Sequence, residues 1–292
     1  MRTEKHRCNL LALLMALMAV GWAVPITLHA HPAIEARLAG VNERIAADPR
    51  NGELYLARAE IHRSHEDWAA ALADYQRAEQ LAPDLEIDFY RGRMWLDAGR
   101  LDLAQSTLDQ FLRIRPNHVR ALRVRAQVLA QRGEPLSAAD DLDKAITRFE
   151  TPMPDLYLER AQLLAAAGSA YIDRALRGLD EGIARFGPVV TLIQFAVDLE
   201  SKRGHSDAAL AYIDRLPPRV KDSPLWMAQR GDVLLAAGRS EDAKDTYAAA
   251  LAAIERLPNQ RRSARAMATL ENRLRLVVSD RFTPTASKKA YR

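Results

Sequence analysis

A helical hairpin pattern between Gly52 and Asp84 constrains this chain more than any other stretch. Small residues at Ala59 and Ala71 lie in two segments whose apolar side chains recur every three or four residues, as they do on one face of a helix. The polar residues from Ser64 to Asp67 separate the two segments. Pro83 ends the second segment, because proline lacks the amide hydrogen that a helix needs. The stretch therefore predicts two antiparallel helices whose backbones approach closely at the alanines.

The same pattern recurs along most of the chain at a spacing of about 34 residues, which is the signature of a repeat array. Alanine, leucine and arginine dominate the composition, whereas glycine and aromatic residues are few, which favours helices over a β-sandwich or barrel. Five further units begin near Leu85, Val119, Pro154, Val190 and Pro224.

These units resemble the tetratricopeptide repeat, with small residues at the crossing of the two helices and a proline at the end. The resemblance implies an all-α fold, an α-solenoid of antiparallel helix pairs wound as a right-handed superhelix. It also implies a scaffold that binds a protein or peptide. The chain departs from the family where Arg58 replaces a leucine, His62 replaces a tyrosine and Val197 fills a small position.

The fourth unit breaks the spacing, because seven residues instead of five separate Gly168 from the next small residue, Ala175. We therefore expect a longer turn there. Phe111 stands where the family usually has alanine, which predicts a bulkier contact with the following unit. The pattern gives this organisation: residues 1–30 a signal peptide, 31–50 a capping helix, 51–258 six repeats, 259–279 a capping helix beginning at Gln260, and 280–292 a disordered tail.

The first thirty residues have the properties of a targeting segment. A basic start precedes an apolar run from Leu10 to Val24, and Ala30 could end a cleavage site. We expect cleavage and export to the periplasm or the medium, and the mature chain would then lack Cys8, the single cysteine. The alternative is an uncleaved anchor, although the run is shorter than the ~20 residues that span a bilayer. Membrane association is expected only in that case.

No sequence motif for catalysis or phosphate binding occurs in the chain, so we expect no enzyme and no cofactor. His62 and His65 stand beside two acidic residues, but this cluster favours a structural role in the hairpin over a metal site. Asp140, Asp141 and Asp143 are expected to form a solvated run. The charge balance gives no reason to expect nucleic-acid binding.

The predicted partner site follows from the resemblance, because first helices line a concave groove in this family. Phe89 and Tyr90 are large, and the core of their own repeat is not expected to need them. Arginines lie beside them, so we expect a peptide with an apolar anchor and an acidic or C-terminal carboxylate group. Alternatively, the arginines only solvate a helix face. The candidate partner-binding residues are Leu56, Glu60, Phe89, Tyr90, Arg93, Arg120, Arg123 and Gln127, and Glu159 and Gln162 occupy equivalent groove positions.

The family's clamp for a C-terminal carboxylate is not matched, because Leu56, Phe89 and Glu60 occupy positions where that clamp has lysines and asparagines. The sequence therefore predicts an exported scaffold or adaptor for protein or peptide binding. The alternative is a peptidoglycan- or carbohydrate-associated accessory protein, or the accessory subunit of an enzyme. Exposed aromatic side chains in the groove would favour a sugar, whereas a mixed charged and apolar groove would favour a peptide.

Overall fold

The computed structural model describes residues 32–149 and 151–279, and this part of the chain consists of α-helices, one 3₁₀ turn and their connections. The solenoid fold predicted from the repeats is confirmed. The predicted signal peptide with its cleavage site, the position of Glu150 and the tail from residue 280 lie outside the described residues. No described helix combines the length and the apolar character that crossing a membrane requires.

Two compact units divide the chain between Leu85 and Glu86. In the first unit, α1 spans Pro32–Ala47, α2 spans Gly52–Ser64 and α3 spans Trp68–Leu81. The second and third helices form the predicted hairpin, and α1 packs against α2. The side chains of Asn51 and Asp67 accept backbone hydrogen bonds at the starts of α2 and α3, which satisfies donors that a helix leaves unpaired.

The second unit continues as alternating first and second helices, each packed on its neighbour in sequence. Its first three pairs are α4 (Ile87–Asp97) with α5 (Leu101–Ile114), α6 (Val119–Gln131) with α7 (Pro135–Arg148), and α8 (Pro154–Ala166) with α9 (Ile172–Phe186). The next helices are α10 (Val190–Lys202), α11 (Ser206–Asp214), α12 (Pro218–Lys221), α13 (Pro224–Ala236) and α14 (Ser240–Glu255), followed by α15 (Asn259–Arg262) and α16 (Arg265–Val278).

The predicted long turn of the fourth unit is present. Gly168 has a φ of 125°, a value that L side chains rarely adopt, and the 3₁₀ turn Ser169–Tyr171 follows it. The second helix of this pair therefore begins only at Ile172. The extra residues are absorbed in the turn, so that Ala175 still reaches its buried position.

The prediction of one last helix from Gln260 to Ser279 is wrong at the beginning of that helix. The short α15 is separated from α16, because Ala264 has an extended backbone and its carbonyl accepts the first hydrogen bonds of α16. Glu271 of α16 accepts hydrogen bonds from Arg262 of α15 and from Arg275 of α16, and the bond from Arg262 links the two helices. The hydrogen bonds, that from Arg262 first, lower the pKa of Glu271 to about 2.

Small residues at the helix crossings determine how closely each pair packs. Ala59 and Ala71 are fully buried in the first hairpin. A β-carbon on Gly92 would lie 2.7 Å from Cγ of Leu108, so that crossing has room only for glycine. The alanines and glycines that mark the repeat in the sequence are therefore the points where the helices touch.

An arginine of the first helix bridges two second helices in several repeats. In α6, Arg125 Nε donates to Asp141 Oδ2 of α7 at 2.6 Å, and its Nη1 donates to Asp109 Oδ1 of α5 at 2.8 Å. Hydrogen bonding to Asp141 is the main cause that raises the pKa of Arg125. The expectation that Asp141 is solvated was wrong, since this residue is only 2% exposed and needs the arginine as a counter-charge.

The same bridge recurs at the equivalent place in other repeats. In the first unit, Arg58 binds Asp74 of α3 and Asn42 of α1, with Nη1–Oδ1 at 2.7 Å for the second contact. In the second unit, Arg160 joins Asp143 of α7 to Glu181 of α9. These three arginines therefore connect their first helices to the neighbouring helix on each side.

We expect Ala71→Leu to destabilise the first unit by roughly 1–3 kcal/mol, because the larger side chain overpacks a fully buried crossing. Ala73→Leu on the exposed face of the same helix is the matched control and is expected to change stability by less than about 0.5 kcal/mol. Urea unfolding followed by circular dichroism measures both. Equal shifts for the two variants would show that the crossing is misplaced.

Candidate functional site

Apart from Phe89, five of the predicted partner-binding residues lie on first helices of the second unit. Tyr90 and Arg93 belong to α4, whereas Arg120, Arg123 and Gln127 belong to α6. Helices α4 and α6 contact each other directly, although they come from different repeats. The structure therefore brings these predicted residues onto two neighbouring helices.

Phe89 is part of the core, and the expectation that its repeat does not need it was wrong. Its side chain is only 1% exposed, and its ring lies 5.2 Å from the ring of His118 and 6.2 Å from that of Phe111. Phe111 also meets His118 edge-on at 5.0 Å, which is the bulky contact expected from a phenylalanine in place of alanine. Phe89 therefore supports the surface from beneath instead of contacting a partner.

His118 fixes the start of α6 beside this aromatic cluster. Its Nδ1 accepts the backbone N–H of Ala121 at 3.0 Å, and its Nε2 lies 3.0 Å from a carboxylate oxygen of Glu86. The same carboxylate pairs with Arg115. The cap and the ion pair together hold α6 in the orientation that presents Arg120 and Arg123.

Tyr90 and Arg120 extend the aromatic cluster to the surface. Tyr90 is half-buried, and its ring packs edge-on against Phe89 at 5.1 Å. The guanidinium carbon of Arg120 lies 4.7 Å from the centre of the Phe89 ring, within the range of a cation–π contact. The guanidinium of Arg93 lies 5.6 Å from the Tyr90 ring. Tyr90 is therefore the partly exposed aromatic side chain of the predicted patch, and the guanidinium groups of Arg93 and Arg120 lie beside it.

Arg123 has an acidic partner within the chain. Its Nε donates to Oε2 of Glu159 at 3.2 Å and its Nη2 donates to Oε1, which links α6 to α8. Both side chains remain about a third exposed. The charge of Arg123 is therefore largely matched by Glu159.

A cleft of about 430 Å³ lies between α6 and α8, beside this ion pair. Gln127, Glu159 and Gln162 provide its polar groups. Gln127 was among the predicted site residues, and the other two were at equivalent groove positions. The apolar lining consists of Ala126, Ala130, Leu142, Leu163 and Ala166. The small side chains on the facing helices leave the space that forms the cleft.

Leu56 and Glu60 lie on α2 in the first unit. Glu60 accepts a hydrogen bond from the hydroxyl of Tyr75 and pairs with Arg63 at 3.2 Å, so its carboxylate is held within its own hairpin. Leu56 is partly buried. Both residues therefore have roles in the hairpin, and their predicted contact with a partner stays a prediction.

Sequence reasoning did not select Ala130, Leu163 and Ala166 as site residues. Ala130 and Ala166 lie near the ends of α6 and α8, where small side chains leave the helix surface open.

Among the described residues, no three histidine, cysteine, aspartate or glutamate side chains are placed to hold a metal ion. Trp226 and Tyr247 are buried core residues.

Residues 91–152 match the family model described as tetratricopeptide repeat. These residues contain α5, α6 and α7 and most of α4. Over these residues the chain carries tetratricopeptide repeats. This agrees with the hairpin geometry, with the small residues at the crossings and with the proline-marked ends. No protein of curated function matches the sequence.

Solved structures share the fold of these tetratricopeptide repeats. The C-terminal part of a TPR repeat-containing protein from Cytophaga hutchinsonii is 11% identical, and the match covers 77% of this chain and 92% of that chain at a TM-score of 0.61. PilF of Pseudomonas aeruginosa is 17% identical, with 68% and 90% covered and a TM-score of 0.50. A tetratricopeptide repeat protein from Parabacteroides merdae is 19% identical, with 83% and 92% covered and a TM-score of 0.47.

We expect Phe89→Ala to destabilise the second unit by about 3–5 kcal/mol, because it empties a buried aromatic site. Tyr90→Ala, the matched neighbour, should cost clearly less because its side chain is only partly buried. Chemical unfolding monitored by helical circular dichroism compares the two variants. A small loss for Phe89→Ala, similar to that of Tyr90→Ala, would mean that Phe89 is not a core residue.

Proposed function

We propose that this chain is an adaptor that binds an extended peptide of a partner protein on the first-helix surface of its second unit, without catalysing a reaction. The first-helix surface is defined by Tyr90, Arg120, Gln127, Glu159 and Gln162 on α4, α6 and α8. The single observation that carries the proposal is the cleft between α6 and α8, which has an apolar lining and a polar edge.

The chemistry of the cleft suits a peptide. Its alanine and leucine lining offers an apolar site for an aliphatic side chain. The amides of Gln127 and Gln162 each carry donors and an acceptor, which are the groups that an extended peptide backbone needs. Glu159 is kept in place by Arg123, so the ion pair forms a fixed wall of the cleft.

Tyr90 and Arg120 supply the second part of the proposed site. Tyrosine and arginine are the residue types that most often dominate binding energy at interfaces. Arg120 is exposed and has no carboxylate partner among the described residues, so its donors remain for an acidic side chain or a C-terminal carboxylate of the partner. The preference for an acidic group therefore rests on Arg120 more than on Arg123.

A peptide is a better fit to this surface than a carbohydrate. Sugars are commonly held by broad, exposed aromatic faces, whereas here Phe89 is buried and Tyr90 is half-buried against it. The mixed apolar and charged lining corresponds to the composition that favours a peptide.

Export is a further part of the proposal, based on the basic start and apolar run of the first thirty residues. We expect the mature protein to begin at His31. N-terminal sequencing of the protein recovered from the periplasm or the medium measures this. Membrane-bound protein that still begins at Met1 would instead support an uncleaved anchor.

Panning a displayed library of random peptides against the full chain tests the binding proposal. We expect the recovered peptides to lose about 30-fold in affinity for Tyr90→Ala, which corresponds to about 2 kcal/mol for a hot-spot aromatic. Gln127→Ala combined with Gln162→Ala should also weaken binding, because the peptide backbone loses hydrogen-bond partners.

Gln110→Ala is the matched control, since Gln110 is an exposed glutamine on the second helix α5. This variant should bind the recovered peptides as the parent does. Peptides whose affinity is unchanged in both the Tyr90 and the double glutamine variants, or a failure to enrich any peptide, would overturn the proposed function.

A further inference from the structure

A second pocket, of about 400 Å³, lies away from the first-helix surface, where the ends of α5 and α7 meet the start of α6. Leu112 of α5 and Leu122 of α6 provide its apolar lining, and Pro116 and Asn117 line it from the connection between these helices. The pocket is therefore built from three helices of consecutive repeats, and none of the predicted partner-binding residues lines it.

Cationic side chains surround this pocket. Arg113 comes from the last turn of α5, and Lys144 and Arg148 come from the last turns of α7. Cations are favoured at these positions because they offset the negative end of the helix dipole. The helix ends therefore help to hold several positive charges around a single pocket.

The carboxylates near the pocket are already used by other groups. Asp109 lies 2.8 Å from Arg125, and Asp141 is buried against the same arginine. Lys144 makes only a long contact of 3.4 Å to Asp141. Arg113 and Arg148 are exposed and have no ion pair with any other described residue. The pocket therefore has an excess of positive charge that the described part of the chain does not neutralise.

We infer that this edge pocket binds an acidic segment of a peptide, with one or two carboxylates on Arg113 and Arg148 and an adjacent aliphatic side chain on Leu112 and Leu122. Arginine pairs with a carboxylate through two parallel hydrogen bonds, which gives both strength and orientation. The apolar lining would be of no use to a bare anion, but it fits the side chain next to an acidic residue.

A carboxylate fits the pocket better than a phosphate group. Phosphate sites commonly use free backbone N–H groups at a helix N-terminus. At the start of α6 the N–H of Ala121 is already taken by Nδ1 of His118, and the N–H of Leu122 by the carbonyl of His118. Side-chain cations at two helix C-termini are then the main source of positive charge for the ligand.

Peptides displayed at random, panned on the full chain and on the Arg113→Glu, Arg148→Glu double variant, test this inference. We expect the parent to enrich peptides with aspartate or glutamate beside an aliphatic residue, and the double variant to bind them at least about tenfold more weakly. Binding to the parent should weaken as NaCl rises from about 50 to 300 mM, and this salt dependence should be smaller in the variant.

The matched control is Arg177→Glu with Arg219→Glu, which changes the net charge equally at exposed arginines far along the sequence from the pocket. This control and the Gln127→Ala, Gln162→Ala variant should retain the acidic peptides, so that failure of this site is distinguished from failure of the first-helix surface.

Equal loss of affinity in the double variant and in the charge control would overturn the inference, since only the overall charge would then matter. A recovered set that contains no acidic peptide would also overturn it. Inorganic phosphate that displaces the peptides much more strongly than acetate at equal ionic strength would assign the pocket to phosphate instead.

Discussion

An arginine that a first helix directs between its two neighbouring helices, at Arg58, Arg125 and Arg160, is the interaction on which the architecture of the repeats depends. Repeat arrays are held only by contacts between neighbouring units, so each interface must supply its own stability. In α6 the guanidinium of Arg125 satisfies Asp141 within its own repeat and Asp109 in the preceding one. A leucine in this position, as in related repeats, would fill space but would leave Asp109 without its ion pair and Asp141 with only the 3.4 Å contact to Lys144.

At this position the chain has an ion pair where related repeats have an apolar contact. A buried carboxylate is costly unless it is paired, so Asp141 and Arg125 must be present together. The arginine recurs six residues after the start of most units, at Arg58, Arg91, Arg125, Arg160 and Arg230. Arg230 pairs with Asp214 of the preceding second helix at 2.6 Å, as the same register requires. The fifth unit has Ala196 instead, and its interface is apolar there.

The helix pairs could be predicted from the sequence because their signals are local. Small residues such as Gly92 and Ala71 indicate where two helices cross, and the closing prolines indicate where the helices end. The start of α16 could not be predicted, because no proline or glycine marks the break at Ala264 and the repeat pattern does not indicate the contact between Arg262 and Glu271. The pairing of Asp141 was missed for the same reason, since Asp140 beside it is exposed and only the fold distinguishes the two.

The sequence predicted on which helices the candidate site residues lie. It did not predict which of them are buried or already paired within the chain. Repeat offsets placed Tyr90, Arg120 and Gln127 on first helices of neighbouring repeats, and the structure agrees. The burial of Phe89 depends on Phe111 and His118, which belong to other helices. The pairing of Arg123 depends on Glu159, which is 36 residues away in sequence. Such contacts follow from the stacking of repeats and cannot be deduced from one repeat alone.

A double-mutant cycle of Arg125→Ala and Asp141→Ala, measured as free energies of unfolding in urea, tests the role of the arginine bridge most directly. The account predicts that the two losses are not additive, with a coupling energy of at least about 1.5 kcal/mol, because each residue leaves the other as an uncompensated buried charge. Losses that add to within about 0.5 kcal/mol would contradict it, since the two side chains would then contribute independently and the ion pair would not hold α6 to α7.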